Sequence, residues 1–399
     1  MAASAAAGRA RIGVLVVFFG SGLGFATWAS RLVMVRETLG ITPAQMGGIL
    51  LLSSVGSILA MPTAGTLILR FGIRWVVGLW GTVTMVGLMG AGLGTVLGAP
   101  WCVGVSLVVF GAGMGLWDVG INVAGTDTER ALHRAVMPHF HAAFSLGTVA
   151  AAGFGAAMSG LGVPLMAHFG AVAAIVVGAL AWGTNRILTG VHATSKGERE
   201  RSGAGAGWRA ALRAWGERRT LLIGLVVLSM ALAEGAANDW LASGLVEGFA
   251  VKESLGIVGL AVFLVAMTAV RTVGPRVIER WGRVRTLRLS ALMAAVGLTL
   301  YGLSPWLIVA LVGAACWGAG SALGFPLGMS AAGDDPLHAA QRTSVVATIA
   351  YGAFLAGPPV LGMIADAIGF RHALLYILIP VAIATILAPV LSARGESRR

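Results

Sequence analysis

Apolar stretches of about twenty residues follow one another through most of the chain, separated by short polar breaks. About twenty apolar residues in a helix match the ~30 Å thickness of a bilayer's hydrocarbon core. The pattern predicts twelve spans: 12–30, 44–68, 75–97, 101–125, 138–160, 163–185, 220–245, 255–275, 286–303, 306–330, 344–366 and 370–392. The chain is 57% hydrophobic and 11% charged, with a mean hydropathy of +0.87. A soluble domain carries about 25% charged residues, so most of this chain does not face water. The opening "GRARIGVLVVFFGSGLGFATWAS" imitates a signal peptide, but its apolar stretch continues too long, and we read it as the first span.

One long polar segment interrupts the pattern. Residues 186–219, "RILTGVHATSKGERERSGAGAGWRAALRAWGERR", are rich in charge, Gly and Ser and read as a linker. This divides the chain into an N-terminal six-helix bundle, 1–185, the cytoplasmic linker, 186–219, and a C-terminal six-helix bundle, 220–399. With the N-terminus in the cytoplasm, all 28 basic residues except Arg31, Arg36, Lys252 and Arg371 lie on the cytoplasmic side or at its boundary. The reverse orientation inverts that ratio, so the positive-inside rule puts both termini in the cytoplasm. The net charge of +12 sits at span ends, without the interleaved aromatics of a nucleic-acid surface. Cys102 and Cys316 lie in apolar runs, lack metal-ligand spacing and read as small core residues.

The two halves repeat. "FGAGMGLWDVGINVAGTD" (110–127) lines up with "WGAGSALGFPLGMSAAGD" (317–334), matching Gly111 to Gly318, Gly113 to Gly320 and Asp127 to Asp334. "RFGIR" (70–74) lines up with "RWGRVR" (280–285). The expected fold is therefore an all-α membrane protein of twelve transmembrane helices in two pseudo-symmetric six-helix bundles.

"GTLILRFGIR" (65–74) resembles the major facilitator superfamily signature Gly-x-Leu-x-Asp-Arg-x-Gly-Arg-Arg. Gly65, Leu67, Arg70, Gly72 and Arg74 fit, and Leu69 stands where the signature has aspartate. The second copy, "PRVIERWGRVR" (275–285), supplies Glu279 at the acidic position, then Arg280, Gly282 and Arg283. In that family these loops clamp helix ends through charge pairs. The resemblance makes Arg70, Gly72, Arg74, Glu279, Arg280, Gly282 and Arg283 gating candidates, with Asp127 and Asp334 as partners. "WASR", "WDVGIN", "FHAAFSLG" and "EGAANDW" resemble the fucose-permease-like branch of bacterial permeases. The Gly-Pro signature of drug antiporters is missing from the fifth span; a Gly-Pro appears instead at Gly357–Pro358.

A charged side chain at mid-bilayer costs about 2.5–3.5 kcal/mol on insertion scales, so embedded acids face an interior and mark function. Asp118 lies in the fourth span with Asn122 one turn on, on the same face, and Trp117 directed elsewhere. His139 and His141 open the fifth span; a histidine at similar depth, His141 above all, would share a proton with Asp118. That makes Asp118 the proton-coupling acid, or else half of a bond that locks the fourth span to the fifth. In "MALAEGAANDW" (230–240), Glu234 and Asn238 share a face near mid-membrane and are expected to line a cavity. Asp239 is expected at the rim, paired with Arg31. Trp28 is expected at the interface, or stacked on a solute. His168, His372 and Asp366 read as boundary residues, and His133 as a solvated loop residue.

Taken together, the expected function is secondary active transport of a small organic solute by alternating access. The protein would act as a monomer in a lipid bilayer, with no cofactor and no nucleic acid, and with the proton gradient as energy source. The few polar residues favour export of a metabolite or drug; the alternative is proton-coupled uptake of a sugar or organic acid. A membrane-embedded metal enzyme is the remote alternative, since neither histidine boxes nor a nucleophile elbow, Walker loop or His-Glu-x-x-His occur.

Overall fold

The computed structural model describes residues 2–133, 136–188, 213–335 and 338–392. All regular structure among them is helical. By length and composition 11 helices can cross a membrane among the described residues. One of these, Glu253–Leu303, is 51 residues long and leaves helical geometry at Gly282, where φ is 72°. Only glycine takes that conformation without strain. The segment is therefore two spans, and the twelve expected spans are present.

The chain divides into two compact units: Met1–Gly197 with Lys252–Val258, and Glu198–Val251 with Gly259–Arg399. Most of the expected linker lies outside the described residues. Unit 1 contains α1 (Ala2–Ser30), α2 (Leu32–Leu39), α3 (Pro43–Ala60), α4 (Ala64–Phe71), α5 (Ile73–Val96), α6 (Pro100–Leu132), α7 (Met137–Gly160) and α8 (Leu165–Thr184). The first span is α1 continued by α2; the second is α3 continued by α4. Thr42 starts α3 with a reciprocal cap, its hydroxyl accepting from the Gln45 amide while the Gln45 side chain accepts from the Thr42 amide.

Unit 2 contains α9 (Arg218–Phe249), α10 (Glu253–Leu303, apart from its first turn), α11 (Leu307–Ser321), α12 (Gly324–Ala332), α13 (Ala339–Ile368), α14 (Phe370–Leu375) and α15 (Leu378–Leu387). The tenth span is α11 followed by α12. Pro326 explains the interruption between them. It lacks the N–H that would bond the carbonyl of Ala322 four residues earlier.

Glycine sets the helix spacing, and it does so alike in both units. Gly111 of α6 faces the Ser53 carbonyl of α3, and its repeat mate Gly318 of α11 faces the Phe263 carbonyl of α10. Gly113 faces Trp80 and Thr84 of α5; Gly320 faces Ser290 and Ala294 in the second half of α10. A methyl group at any of the four would strike a neighbouring backbone. Close approach of this kind, with dispersion and no hydrophobic drive, holds helices together in lipid. Trp117, Phe140 and Phe169 fill unit 1, and Trp240, Trp317 and Tyr301 fill unit 2. Leu59, Trp101, Ile308 and Ile386 remain largely exposed, as the surface of a bilayer-embedded protein requires.

Candidate functional site

Asp118 lies on α6 and is half-buried, while adjacent Trp117 is fully buried over Gly81 of α5 and Gly24 of α1. The expected divergence of these neighbours is therefore present. The Asn122 amide donates to the Asp118 carboxylate at 3.2 Å and to its carbonyl at 2.9 Å. That bond stays within one helix. His141 is exposed and sets its ring edge-on to Phe18 of α1 at 5.5 Å, and His139 is exposed in the first turn of α7. The expected lock between the fourth and fifth spans is thus replaced by a bond along α6. The spacing of four residues had already placed the amide within reach.

Around the α1–α2 junction the structure corrects two expectations. Trp28 is 5% exposed and tilts against Phe169 at 6.4 Å, so it is enclosed within unit 1 rather than at an interface or open to a solute. His168, in the first turn of α8 and so at the end of its span as expected, is fully buried between Phe154 and Phe169. Arg31 is also buried, and its acidic partner is Glu253, at 3.8 Å, not Asp239. Arg31 further donates to the Val163 carbonyl at 3.4 Å. Glu253 accepts from the Met34 amide at 3.1 Å and from the Ser159 hydroxyl. One carboxylate thus joins α2, α7 and the first turn of α10. A buried guanidinium requires such a partner, because an unpaired charge there costs several kcal/mol.

In unit 2, Glu234 and Asn238 share a face of α9, and the Asn238 amide donates to the Glu234 carbonyl at 3.1 Å. The Glu234 carboxylate pairs with Arg271 of α10 at 2.8 Å. The same guanidinium donates through Nε to the Ala322 carbonyl at 3.2 Å, the carbonyl that Pro326 leaves without its helical donor. Both charged side chains keep some exposure, 27% for Arg271 and 21% for Glu234. Asp239 is half-buried one residue beyond Asn238. Asp366 is exposed in the last turn of α13, and the His372 ring lies 3.2 Å from the Ile368 carbonyl. His133 ends α6, exposed, with φ 50°.

The two signature loops differ in their bonding. Gly72 and Gly282 take the same left-handed turn, with φ 87° and 72°. In unit 2, Arg283 bonds Asp334 at 2.5 Å and the Ser330 hydroxyl at 3.0 Å, while Arg219 bonds the other Asp334 oxygen at 3.0 Å. In unit 1, Arg74 donates twice to the Ile187 carbonyl, at 2.9 and 2.7 Å. Exposed Arg70 lies over the adjacent Phe71 ring. Buried Asp127 has Arg130 at 3.8 Å. Glu279 and Arg280 are exposed. Leu69, at the acidic position, is 60% exposed.

The sequence model of the Major Facilitator Superfamily matches residues 13–336 and 253–399. The chain belongs to this family. It is a multi-pass transporter of a small-molecule solute, seated in a lipid bilayer. A relative, an uncharacterized MFS-type transporter of Yersinia pestis, is 31% identical over 358 residues, covering 89% of each chain. Among solved structures, the nucleoside transporter NupG superposes with a TM-score of 0.73 at 14% identity, over 98% of this chain and 100% of its own. The MFS transporter FucP in its outward conformation gives 0.64 at 16% identity, over 96% and 98%. At such identities the two structures speak for the fold alone.

Within this superfamily member, sequence reasoning passed over Arg271, Glu253, Arg219, Glu217 and Arg342. Arg342 bonds Glu217 at 2.6 Å and Asp335 at 3.0 Å near the start of α9. Arg271 had a signal: an arginine inside "LVAMTAVRTVG" is an embedded charge by the same rule that singled out Asp118. Glu253 and Glu217 had none, because a carboxylate in a short polar break looks solvated until the fold gives it neighbours.

Proposed function

We propose that this chain is a proton-coupled secondary transporter that moves a small organic solute by alternating access, with Asp118 as the proton-carrying group. The observation that carries the reading is the setting of Asp118. It lies well inside a 33-residue helix, half-buried, and takes its hydrogen bond from Asn122 on that same helix. A carboxylate that does not tie one helix to another is free to change charge without loosening the bundle. Protonation removes its cost in a low-dielectric site, and ionisation returns the proton where water reaches it.

The protein acts as a monomer in the bacterial inner membrane with both termini in the cytoplasm. The proton gradient is its energy source. The signature-loop residues Arg70, Gly72, Arg74, Asp127, Glu279, Arg280, Gly282, Arg283 and Asp334 form its gating set. A sparse polar inventory favours export. Arg271 enlarges that inventory with a cation, and this supports the second reading, uptake of an organic acid.

The test is transport in proteoliposomes under an imposed pH gradient, with solute exchange measured in parallel. We expect Asp118→Asn to abolish gradient-driven accumulation while exchange persists. Accumulation at the wild-type level in that variant would remove Asp118 from the coupling step. Vesicles of either orientation read the direction directly.

A further inference from the structure

We propose that Arg271 receives a carboxylate of the transported solute, and that Glu234 is the built-in anion which the solute displaces. This rests on the transport reading above and adds a substrate class to it: small organic acids carried together with a proton.

The guanidinium is oriented before any solute arrives. Its Nε donates to the Ala322 carbonyl, a neutral acceptor exposed by Pro326 at the break between α11 and α12. That bond does not depend on Glu234, so removing Glu234 leaves Arg271 aimed as it is. Arg271 also shares a helix face with Phe263, Met267 and Gly274, all buried, which directs it into unit 2.

Glu234 holds the cation by one contact. Only its Oε2 bonds Arg271, through a single Nη2 donor. A guanidinium carries five N–H donors in a planar fork and binds a carboxylate best through two parallel bonds. Two donor bonds are made here, through Nε and Nη2, and the Arg271 side chain remains 27% exposed. A solute carboxylate that engages the fork through both oxygens therefore binds better than Glu234 does, once Glu234 gives up its charge.

A second proton, besides the one that Asp118 carries, enters through that exchange. Glu234 takes one proton and becomes a neutral carboxylic acid, Arg271 stays protonated, and the solute carboxylate replaces the lost negative charge. An embedded guanidinium without an anion is costly. Proton and acid therefore each favour the binding of the other, and a neutral solute cannot make the exchange. The titratable and charged groups on the surrounding elements lie mostly at helix ends. On α9 the nearest is Asp239, five residues on from Glu234, with the Asn238 amide between them, while Arg218, Arg219 and Glu247 lie at the two ends of that helix; on α10 the nearest beyond Arg271 are Arg276 and Glu279, both exposed. On α13, Phe354 packs at Gly235 with Tyr351 beside it, while Arg342 and Asp366 lie at the two ends of that helix. On α11 it is Cys316, on α14 Arg371 and His372.

The experiment measures binding to the purified full-length protein at mildly acidic and mildly alkaline pH. Its probes are gluconate, quinate and phenylacetate, each beside its uncharged primary amide. For wild type we expect at least one acid to bind, more tightly at the lower pH, and its amide to bind at least about tenfold more weakly. Glu234→Gln should bind that acid at least as tightly as wild type and without pH dependence. Arg271→Gln should lose about tenfold or more. Arg271→Lys keeps the charge without the fork, so it serves if the glutamine variant does not fold, and it should still bind more weakly than wild type. The proposal is overturned if no acid binds, if acids and amides bind alike, if Arg271→Gln retains affinity, or if Glu234→Gln keeps the pH dependence. Gradient-driven transport of an uncharged solute by wild type would overturn it while leaving the transport reading intact. Acid binding as expected with no flux of any probe would leave the site standing and defeat the reading instead.

Discussion

Arg31 and Glu253 show what single residues are worth here. Arg31 is buried, and Glu253 is the carboxylate nearest its guanidinium while also accepting from Met34 and Ser159. Glu253→Gln retains an acceptor but leaves the guanidinium uncompensated. We expect a loss of about 3 kcal/mol, seen as a lower melting temperature in detergent. Adding Arg31→Met to that variant should recover most of the loss, because an apolar pair leaves no orphaned charge. A double variant as unstable as the single one would show that Glu253 acts through Met34 and Ser159 alone. At this scale the sequence discloses contacts within one helix and little else. Asn122 reaches Asp118, and Asn238 reaches the Glu234 backbone, because a spacing of four stacks side chains on successive turns. The partner of Arg31, more than two hundred residues away, and the burial of His168 depend on packing that periodicity does not encode.

Helices were the most legible elements, since apolar length is a direct requirement of the bilayer, and all twelve spans fall where the hydropathy pattern puts them. The interruptions inside them were harder to read. Gly282 lies in the signature loop and so announced its turn, but the break at Ala322–Leu323 falls inside what reads as one continuous span. Its cause, Pro326, was visible; the compensating donor, Arg271, comes from another helix. Close helix approach was legible through the repeat, which pairs Gly111 with Gly318. Gly111→Ala and Gly318→Ala should each destabilise by about 1–3 kcal/mol, as overpacking does, because the added methyl meets a backbone carbonyl of the facing helix. Gly153 of α7 has open space at its Cβ, so Gly153→Ala should be neutral or stabilising by up to about 1 kcal/mol. Melting temperatures of the three variants decide this, and equal gains would mean that these glycines matter only through helix propensity.

Across the whole molecule the two units have the same helix order and differ in how their signature loops are tied. In unit 2 one carboxylate, Asp334, holds both Arg283 and Arg219. In unit 1 the acidic position is the exposed Leu69, and Arg74 is tied to a backbone carbonyl instead. Where this loop lies relative to the membrane follows from charge. Arg70 and Arg74 flank it, whereas Leu161 lies in the turn between α7 and α8, a break with no basic residue of its own. If arginine placement sets the topology, the two turns open on opposite sides. Both leucines are well exposed, Leu69 at 60% and Leu161 at 75%, so a cysteine at either is accessible to a reagent. With Cys102 and Cys316 replaced by serine, Leu161→Cys should react with a membrane-impermeant maleimide on intact cells, and Leu69→Cys only after permeabilisation. The inverted pattern would put the termini outside. It would also make the basic clusters at the span ends a consequence of something other than insertion, and labelling of both sites on intact cells would break the alternation of spans on which the two-unit architecture depends.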